Sequence, residues 1–240
     1  MQVNSISEKF SSTFSIKLAT TQAEKEISYG IRYQVYCSEL NWEPKSSSKL
    51  ESDRHDERAL HLLLKHNECD QFIGCSRLIT SPSAGQVSSL PCMHYLTDYQ
   101  IEQHRKFFDQ GCLGEASRFA ILPQVRKKEC ETFKIDEYAR PLMSAGMYFS
   151  NIALAKLLGM KGMLIFASPK VARRVEMLGL ELTKISQGID HNGSRAIYFL
   201  PVEQSPYLLQ SNPKMIEFYN SIHTSIEPQV DGFLALNQAK

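Results

Sequence analysis

The chain of 240 residues has the length of one large domain, and its 42% hydrophobic and 22% charged residues are ordinary for a globular protein. A net charge of +1 excludes a global field that would attract nucleic acid or an anionic membrane. No apolar run approaches the roughly 18 residues of a membrane span. The N-terminal stretch lacks the apolar core of an export signal, and none of the six cysteines forms a C-x-x-C pair. We therefore expect a cytoplasmic protein with reduced thiols and no metal.

Apolar periodicity predicts a mixed α/β fold. An alternating strand at 13–20 precedes an amphipathic helix at 23–40, and a loop containing proline and serine follows at 41–53. Further strands are predicted at 59–66, 71–80, 114–122, 162–168, 180–186 and 195–202, and further helices at 96–108, 137–160 and 169–179. The order predicts a central sheet of about seven strands with helices on both faces, in a domain over 1–205. Residues 206–240 are predicted to form a C-terminal extension with a helix at 213–223.

Three arginines interrupt apolar segments of the predicted fold. Arg32 lies on the apolar side of the first helix, and Arg77 and Arg118 lie inside strands. A buried arginine keeps its charge and therefore needs carboxylate partners. The stretch "ESDRHDER" (51–58) places acidic residues before a buried strand, so it is predicted to fold over the end of the sheet. The candidate partners are Glu51, Asp53, Asp56, Glu57 and Glu115. The alternative is that each arginine lies at a strand edge and points to water.

These charges and the aromatic residues around them follow a distinctive spacing. It reads R(32)-x-x-x-Y(36)-x-x-x-L(40)-x-W(42), E(51)-x-D(53)-x-x-D(56), G(74)-C(75)-x-R(77)-L(78) and E(115)-x-S(117)-R(118)-F(119). The pattern resembles the acyl-homoserine-lactone synthase family. Within that superfamily it is closer to the long-chain N-acyl amino acid synthases and the exosortase-associated acyltransferases. The late stretch "GIDHNGSRAIYF" is similar to a glycine-arginine stretch of that second group. The resemblance covers roughly residues 13–200. Tyr36 departs from it, because the lactone synthases more typically carry phenylalanine there.

The resemblance implies a GCN5-related N-acyltransferase-like (GNAT) fold, with a sheet that splits between its fourth and fifth strands to hold an acyl-pantetheine arm. Relatives that use coenzyme A usually carry a glycine-rich turn after the fourth strand, whereas "PQVRKKECETFK" (123–134) has no glycine. This favours acyl carrier protein as donor, with its acyl-phosphopantetheine as a substrate and no further cofactor. Basic residues could dock an acidic carrier protein, although they could equally form a solvated face. They are Arg126, Lys127, Lys128, Lys170, Arg173 and Arg174.

The reaction implied by the resemblance is aminolysis of an acyl thioester by an α-amine. That amine has a free pKa of about 8, so a modest base suffices, directly or through water. Glu115 is the candidate base, since it opens the strand that should line the cleft. Strict alternation would place Glu115 and Arg118 on opposite faces, so both can serve the site only if the strand bulges. Such a bulge would favour an oxyanion site at the backbone N–H groups of Phe119 and Ala120.

The remaining candidate residues would shape the binding sites. Arg32, Asp53, Asp56 and Arg77 are expected to form an ordered network around the acceptor, which Asp53 could contact directly. The residues expected to border the substrates are Tyr36, Trp42, Ser117, Phe119 and Ala120. Those expected to line a tunnel for the acyl chain, or else to form an ordinary core, are Leu142, Met143, Gly146, Met147 and Phe149.

Three other functions stay open at the level of sequence. A lactone synthase that uses S-adenosylmethionine would need the same charged residues, and the "HNGSRAIYF" stretch and the chain length favour an amino acid instead. A non-catalytic acyl-binding module would be expected to have lost one of Arg77, Glu115 or Arg118, and all three are present. An N-acetyltransferase using acetyl-CoA is disfavoured by the missing glycine-rich turn.

Overall fold

One mixed sheet forms the centre of the protein in a computed structural model that describes residues 5–81, 86–109, 111–126 and 132–238. Its strands pair in the order β1-β2-β3-β4-β5-β8-β6, and the short β7 pairs with β8. Among the strands of the described residues, only the β4–β5 pair is parallel. The strands are β1 Phe14–Ala19, β2 Ala59–His66, β3 Gln71–Thr80, β4 Leu113–Ile121, β5 Gly162–Ala167, β6 Thr183–Lys184, β7 Ile189–Asp190 and β8 Ser194–Pro201.

The helices lie on both faces of this sheet, as predicted. They are α1 Ile6–Thr13, α2 Gln22–Arg32, α3 Asp98–Gln103, α4 Arg105–Phe108, α5 Pro123–Arg126, α6 Arg140–Leu157, α7 Pro169–Glu176, α8 Ser205–Leu209 and α9 Pro213–Gln238. The 3-10 turns are Asp56–Arg58, Val87–Ser89 and Pro91–Tyr95, and α2 continues into a π-helix over Tyr33–Glu39. The helix predicted over 23–40 therefore has two parts, and α1 was missed because eight residues carry little periodic signal.

Side-chain contacts identify the two faces of the sheet. On the α2 face, the Ser28 hydroxyl of α2 lies 3.4 Å from His61 Nδ1, and the Cys75 thiol faces the Ser28 carbonyl. On the α6 face, the Asn151 amide donates a 2.8 Å hydrogen bond to the Ser76 hydroxyl. Because successive strand residues alternate between faces, odd-numbered residues of β3 share the α2 face.

A gap opens between β4 and β5. The two strands pair only from Leu113–Gly162 to Ala116–Ile165. Beyond these residues β4 pairs only with β3, and β5 pairs only with β8, within the described chain. This is the split that the resemblance implies, and it leaves half-buried residues on both strands where a substrate can enter.

A β-bulge interrupts β4 at the start of the gap. The register passes from Arg77–Ser117 to Cys75–Ala120, so that Ser76 faces two residues of β4. Arg118 absorbs the extra residue with a left-handed φ of 52°. The bulge turns Arg118 to the α2 face, beside Ser117. The strand therefore bulges as the sequence required for Glu115 and Arg118 to lie on the same face.

Helix α9 packs onto the body of the fold. It runs for 26 residues, well beyond the predicted 213–223, and includes Pro228. Phe218 and Tyr219 meet the ring of Phe149 edge-on, and the side chain of Gln229 hydrogen-bonds the main chain of β1. The predicted division of the chain near residue 205 stays a prediction. Among the described residues, no helix combines the length and the hydrophobicity needed to cross a bilayer.

Candidate acyl-transfer site

Three arginines and four carboxylates form a buried charge cluster on the α2 face. The fully buried Arg32 binds Glu51 through Nε and Asp56 through both terminal nitrogens, at 2.7 and 3.1 Å. Arg77, which is 2% exposed, donates to Asp53 at 2.7 Å and Asp56 at 2.9 Å. The predicted contacts between the arginines and the acidic loop are therefore present. The charge cluster consists of Arg32, Arg77, Arg118, Glu43, Glu51, Asp53 and Asp56.

Arg118 closes the cluster on the side of the gap. Its Nε lies 3.2 Å from Glu51, and its Nη2 lies 3.0 Å from Asp53 and 3.3 Å from Glu43. Glu43 was missed because it stands in the proline- and serine-containing loop, where no periodicity fixes its direction. The prediction that Glu57 is a partner of the arginines is wrong. Its side chain is exposed, because the 3-10 turn after His55 directs Asp56 inward and Glu57 outward.

The arginines of the cluster hold its two aspartates ionised. Burial would raise the pKa of Asp56, but the hydrogen bond and charge of Arg32 and the charge of Arg77 outweigh it, so the pKa lies well below its ordinary value. The pKa of Asp53 is likewise lowered, with Arg77 and Arg118 outweighing burial. Burial lowers the pKa of His61, behind the cluster, to about 4, so this imidazole is neutral at physiological pH.

Glu115 lies apart from the charge cluster on the same face, just before β4 leaves β5. It is 4% exposed, and its Oε2 accepts a 2.7 Å hydrogen bond from the main-chain N–H of Cys92. Burial raises the pKa of this carboxyl above its ordinary value of 4.5. Ser117, two residues along the strand, is half-buried and accepts a 3.1 Å hydrogen bond from Arg77. Glu115 is thus a carboxyl with raised basicity at the inner end of the gap.

Aromatic side chains border the gap on the α2 face. Tyr36 donates a 2.6 Å hydrogen bond to the carbonyl of Phe119 in the bulge, and its ring stacks on Trp42. The guanidinium of Arg195 lies over both Trp42 and Phe166, at 4.9 and 5.9 Å from the ring centroids. The predicted border residues Tyr36 and Trp42 therefore lie together. The sequence analysis missed Arg195 and Phe166 as border residues. An arginine at the start of an apolar strand is the same kind of pattern that predicted the charge cluster.

The α6 face of the gap is apolar. Phe119 points to this side, where its ring stacks on that of Tyr148 at 5.1 Å. Ala116, Leu142 and Ile165 are also partly buried beside the core. A chain of methylene groups can be sheltered only by side chains that are not already fully enclosed, so these five residues are the candidates for contact with an acyl chain.

The predicted tunnel wall is mostly enclosed. Met143 and Met147 are 2% and 0% exposed, and a side chain at Gly146 would overlap the ring of Phe10. Phe149 packs against α9. These four residues therefore pack as an ordinary core, which is the alternative that the sequence left open. Their contacts do not support a tunnel for the acyl chain. Ala120 is also buried, at 2% exposure.

Comparisons with known proteins agree with this architecture. The model of the acetyltransferase (GNAT) domain matches residues 31–134, which include the whole charge cluster and Glu115. FeeM, an N-acyl amino acid synthase from uncultured soil microbes, aligns with a TM-score of 0.57 and 16% identity over 81% of this chain and 94% of that chain. The fold is the GNAT fold. The fold class and the resemblance predicted from the sequence are therefore confirmed.

Lactone synthases share this GNAT fold. LasI, an AHL synthase, aligns with a TM-score of 0.56 and 12% identity over 82% of this chain and 95% of its own. MesI, a CoA-dependent acyl-homoserine lactone synthase, aligns with a TM-score of 0.56 and 18% identity over 88% of this chain and 95% of its own. No curated protein sequence matches the chain. The comparisons agree with the predicted acyltransferase class and leave donor and acceptor open.

The predicted docking residues divide into two groups on the GNAT fold. Arg126 binds Glu39 and donates 3.0 Å to the carbonyl of Ile121, while Lys127 and Lys128 lie outside the described residues. The other three, Lys170, Arg173 and Arg174, form an exposed basic face on α7. Among the described residues, no group of three histidine, cysteine or acidic side chains could hold a metal ion.

Proposed function

We propose that the protein is an N-acyltransferase that moves a long-chain acyl group from acyl carrier protein to the α-amine of an amino acid. The observation that carries this proposal is the two-sided gap between β4 and β5. Its α2 face carries the charge cluster and the buried base Glu115, which suits a small polar acceptor. Its α6 face carries half-buried apolar side chains, which suits an acyl chain.

Glu115 is the proton acceptor in this mechanism. The raised pKa of its carboxyl brings it closer to that of an α-amine, of about 8, and thus favours proton transfer. Because only 4% of the residue is exposed, it takes the proton through one water molecule. The acceptor ammonium first loses one proton to solvent, and the neutral amine then attacks the thioester carbon and gives a second proton to Glu115. The tetrahedral intermediate collapses with cleavage of the C–S bond, and Glu115 returns that second proton to the thiolate. The products are an N-acyl amino acid and a free thiol.

The bulge at Arg118 orients the reacting groups. In this proposal the main-chain N–H groups around Phe119, where the bulge interrupts the β3–β4 ladder, donate to the oxyanion. The Tyr36 hydroxyl holds the Phe119 carbonyl, and Glu51 and Asp53 hold Arg118, so the bulge is fixed before substrate binds. In this proposal the charge cluster positions the strand and shapes the acceptor site without itself exchanging protons, since its aspartates stay ionised.

The first experiment identifies the substrates. The purified protein is incubated with long-chain acyl carrier protein or the matching acyl-CoA, the twenty amino acids and S-adenosylmethionine, and products are identified by mass spectrometry. We expect an N-acyl amino acid from the carrier-protein donor. Glu115→Gln should lower its rate by about a hundredfold or more, whereas Glu102→Gln, on an exposed face of α3, should leave the rate unchanged.

Other results of this experiment would contradict the proposed donor, acceptor or reaction. An acyl-homoserine lactone would establish the lactone synthase reaction, and equal use of acyl-CoA would remove the preference for a carrier protein. No acylated product from either donor at any chain length would refute acyl transfer altogether and favour the non-catalytic function.

The basic face of α7 is the proposed docking surface for the carrier protein. Burial raises the pKa of Tyr148 and the charge of Arg174 opposes that rise, so α7 is near enough to the apolar side of the gap to support docking there. Lys170→Glu and Arg173→Glu should each raise KM for the acyl carrier protein and leave KM for acyl-CoA unchanged. Lys214→Glu, an exposed charge on α9, is the matched control. Equal effects on both donors would contradict docking at α7.

A further inference from the structure

Arg195 differs from the arginines of the charge cluster because no carboxylate among the described residues pairs with it. Its Nε donates a 2.6 Å hydrogen bond to the His191 carbonyl, and its planar group rests over Trp42 and Phe166. In the described part of the chain, the groups that act on its charge are the hydroxyls of Tyr36 and Tyr95, with no carboxylate among them.

The environment of Arg195 favours an anionic ligand. Burial lowers the pKa of its guanidinium, because half-enclosure removes water without supplying a negative charge. The aromatic faces of Trp42 and Phe166 fix the plane of the group, and among the described residues the hydrogen bond of its Nε to His191 leaves both terminal nitrogens to serve as a paired donor. A guanidinium held in this way matches a carboxylate, which accepts two parallel hydrogen bonds.

The strand register places Arg195 on the acceptor side of the gap. Ile197 pairs with Phe166, and side-chain alternation puts Arg195 on the same face as Ile197. That is also the face of Glu115, whose partner on β5 is Leu164, two residues before Phe166. Glu115 and Arg195 therefore lie on the same face of the sheet, on the two strands that flank β5.

Resting on the proposed function, we infer that Arg195 binds the carboxylate of the acceptor, so that the acceptor class is free α-amino acids and excludes simple amines. One carbon separates amine and carboxylate in such a molecule, so a base on β4 and a cation on β8 can hold both. Tyr95, which hydrogen-bonds His191 at 3.2 Å and stacks on Phe166, also lines a groove of about 600 Å³ beside α3.

The test compares acceptors with and without a carboxylate. KM and kcat are measured for the best amino acid and for its decarboxylated amine, with wild type, Arg195→Gln and Arg195→Lys. We expect the wild type to prefer the amino acid by at least tenfold. Arg195→Gln should raise KM for the amino acid about 10- to 100-fold and leave the amine unchanged, while Arg195→Lys should retain part of the preference. Arg105→Gln, on exposed α4, is the control.

A binding readout separates this inference from the proposed function. Trp42 is the single tryptophan of the sequence and lies under Arg195, so its fluorescence should respond to each bound amino acid without turnover. A response that Arg195→Gln abolishes would support the inference even if no acyl product forms. An unchanged ratio of amino acid to amine in Arg195→Gln, or no fluorescence response to any of the twenty amino acids, would overturn it. A raised KM for the donor alone would also overturn it, because the anion bound would then be the donor's phosphate.

Discussion

Replacing Arg32 with methionine should destabilise the fold severely. Arg32 is fully buried, and its guanidinium donates hydrogen bonds to Glu51 and Asp56. Its loss leaves two arginines facing four carboxylates in the charge cluster. Removing one partner of a buried ion pair costs about 3–5 kcal/mol, a large share of the roughly 5–15 kcal/mol that stabilises a typical domain. For an m value of about 2 kcal/mol/M, the urea midpoint should fall by about 2 M.

The pH dependence of this effect follows from Asp56. Its folded-state pKa lies below the unfolded value of about 3.9, so its contribution to stability is present above that value and is lost as pH falls through the folded-state pKa. In Arg32→Met the carboxylate loses its main cation, so the difference from wild type should be largest near pH 7 and should narrow below about pH 4.

Urea unfolding at pH 7, 5 and 3.5 measures both effects. Arg105→Met removes an exposed arginine whose side chain is 65% accessible and should change stability by less than about 0.5 kcal/mol. A loss below about 1 kcal/mol in Arg32→Met, or a loss independent of pH, would refute the view that this pair is buried and coupled.

Three further predictions test other parts of the structure. The rate of acyl transfer should fall as pH decreases through the raised pKa of Glu115, and Glu115→Gln should lose this limb of the kcat profile, which a pH series of initial rates measures. Gly146→Ala should destabilise by about 1–3 kcal/mol because its Cβ overlaps the ring of Phe10. Gly232→Ala has open space and should stabilise α9 by about 0.5–1 kcal/mol, so equal thermal shifts in the two variants would contradict the packing described. Tyr36→Phe should cost about 1 kcal/mol in urea unfolding by removing its hydrogen bond to the bulge, and an unchanged midpoint would show that water replaces it.

The sequence predicted most of the sheet because its strands are strongly patterned. The ranges 59–66 and 71–80 match β2 and β3 residue for residue. The two-residue strands β6 and β7 are fixed by pairing with β8, which no local pattern reveals. The switch from α2 to a π-helix at Tyr33 likewise depends on tertiary contacts, because the apolar residues continue at helical spacing through it.

The charge cluster was predictable, and the second side of the site was not. Arg32, Arg77 and Arg118 stood out because a charge inside an apolar run demands a partner. Arg195 carries the same signal at the edge of a strand, where exposure is the ordinary expectation. Tyr148 looks like any core aromatic in an apolar helix, and only the opening between β4 and β5 gives it an accessible face.

The bulge in β4 changes which positions of the strand face each side of the sheet. Up to Ser117 the odd positions point to the α2 face, and from Phe119 onwards the odd positions point to the α6 face. Deleting Ser117 or Arg118 would restore an unbroken strand and leave the residues on either side on their present faces, so the α2 face would lose one polar side chain. Deleting Phe119 would instead direct the guanidinium of Arg118 into the apolar α6 face. The extra residue of the bulge therefore places two polar side chains in succession on the α2 face, where a regular strand would offer one.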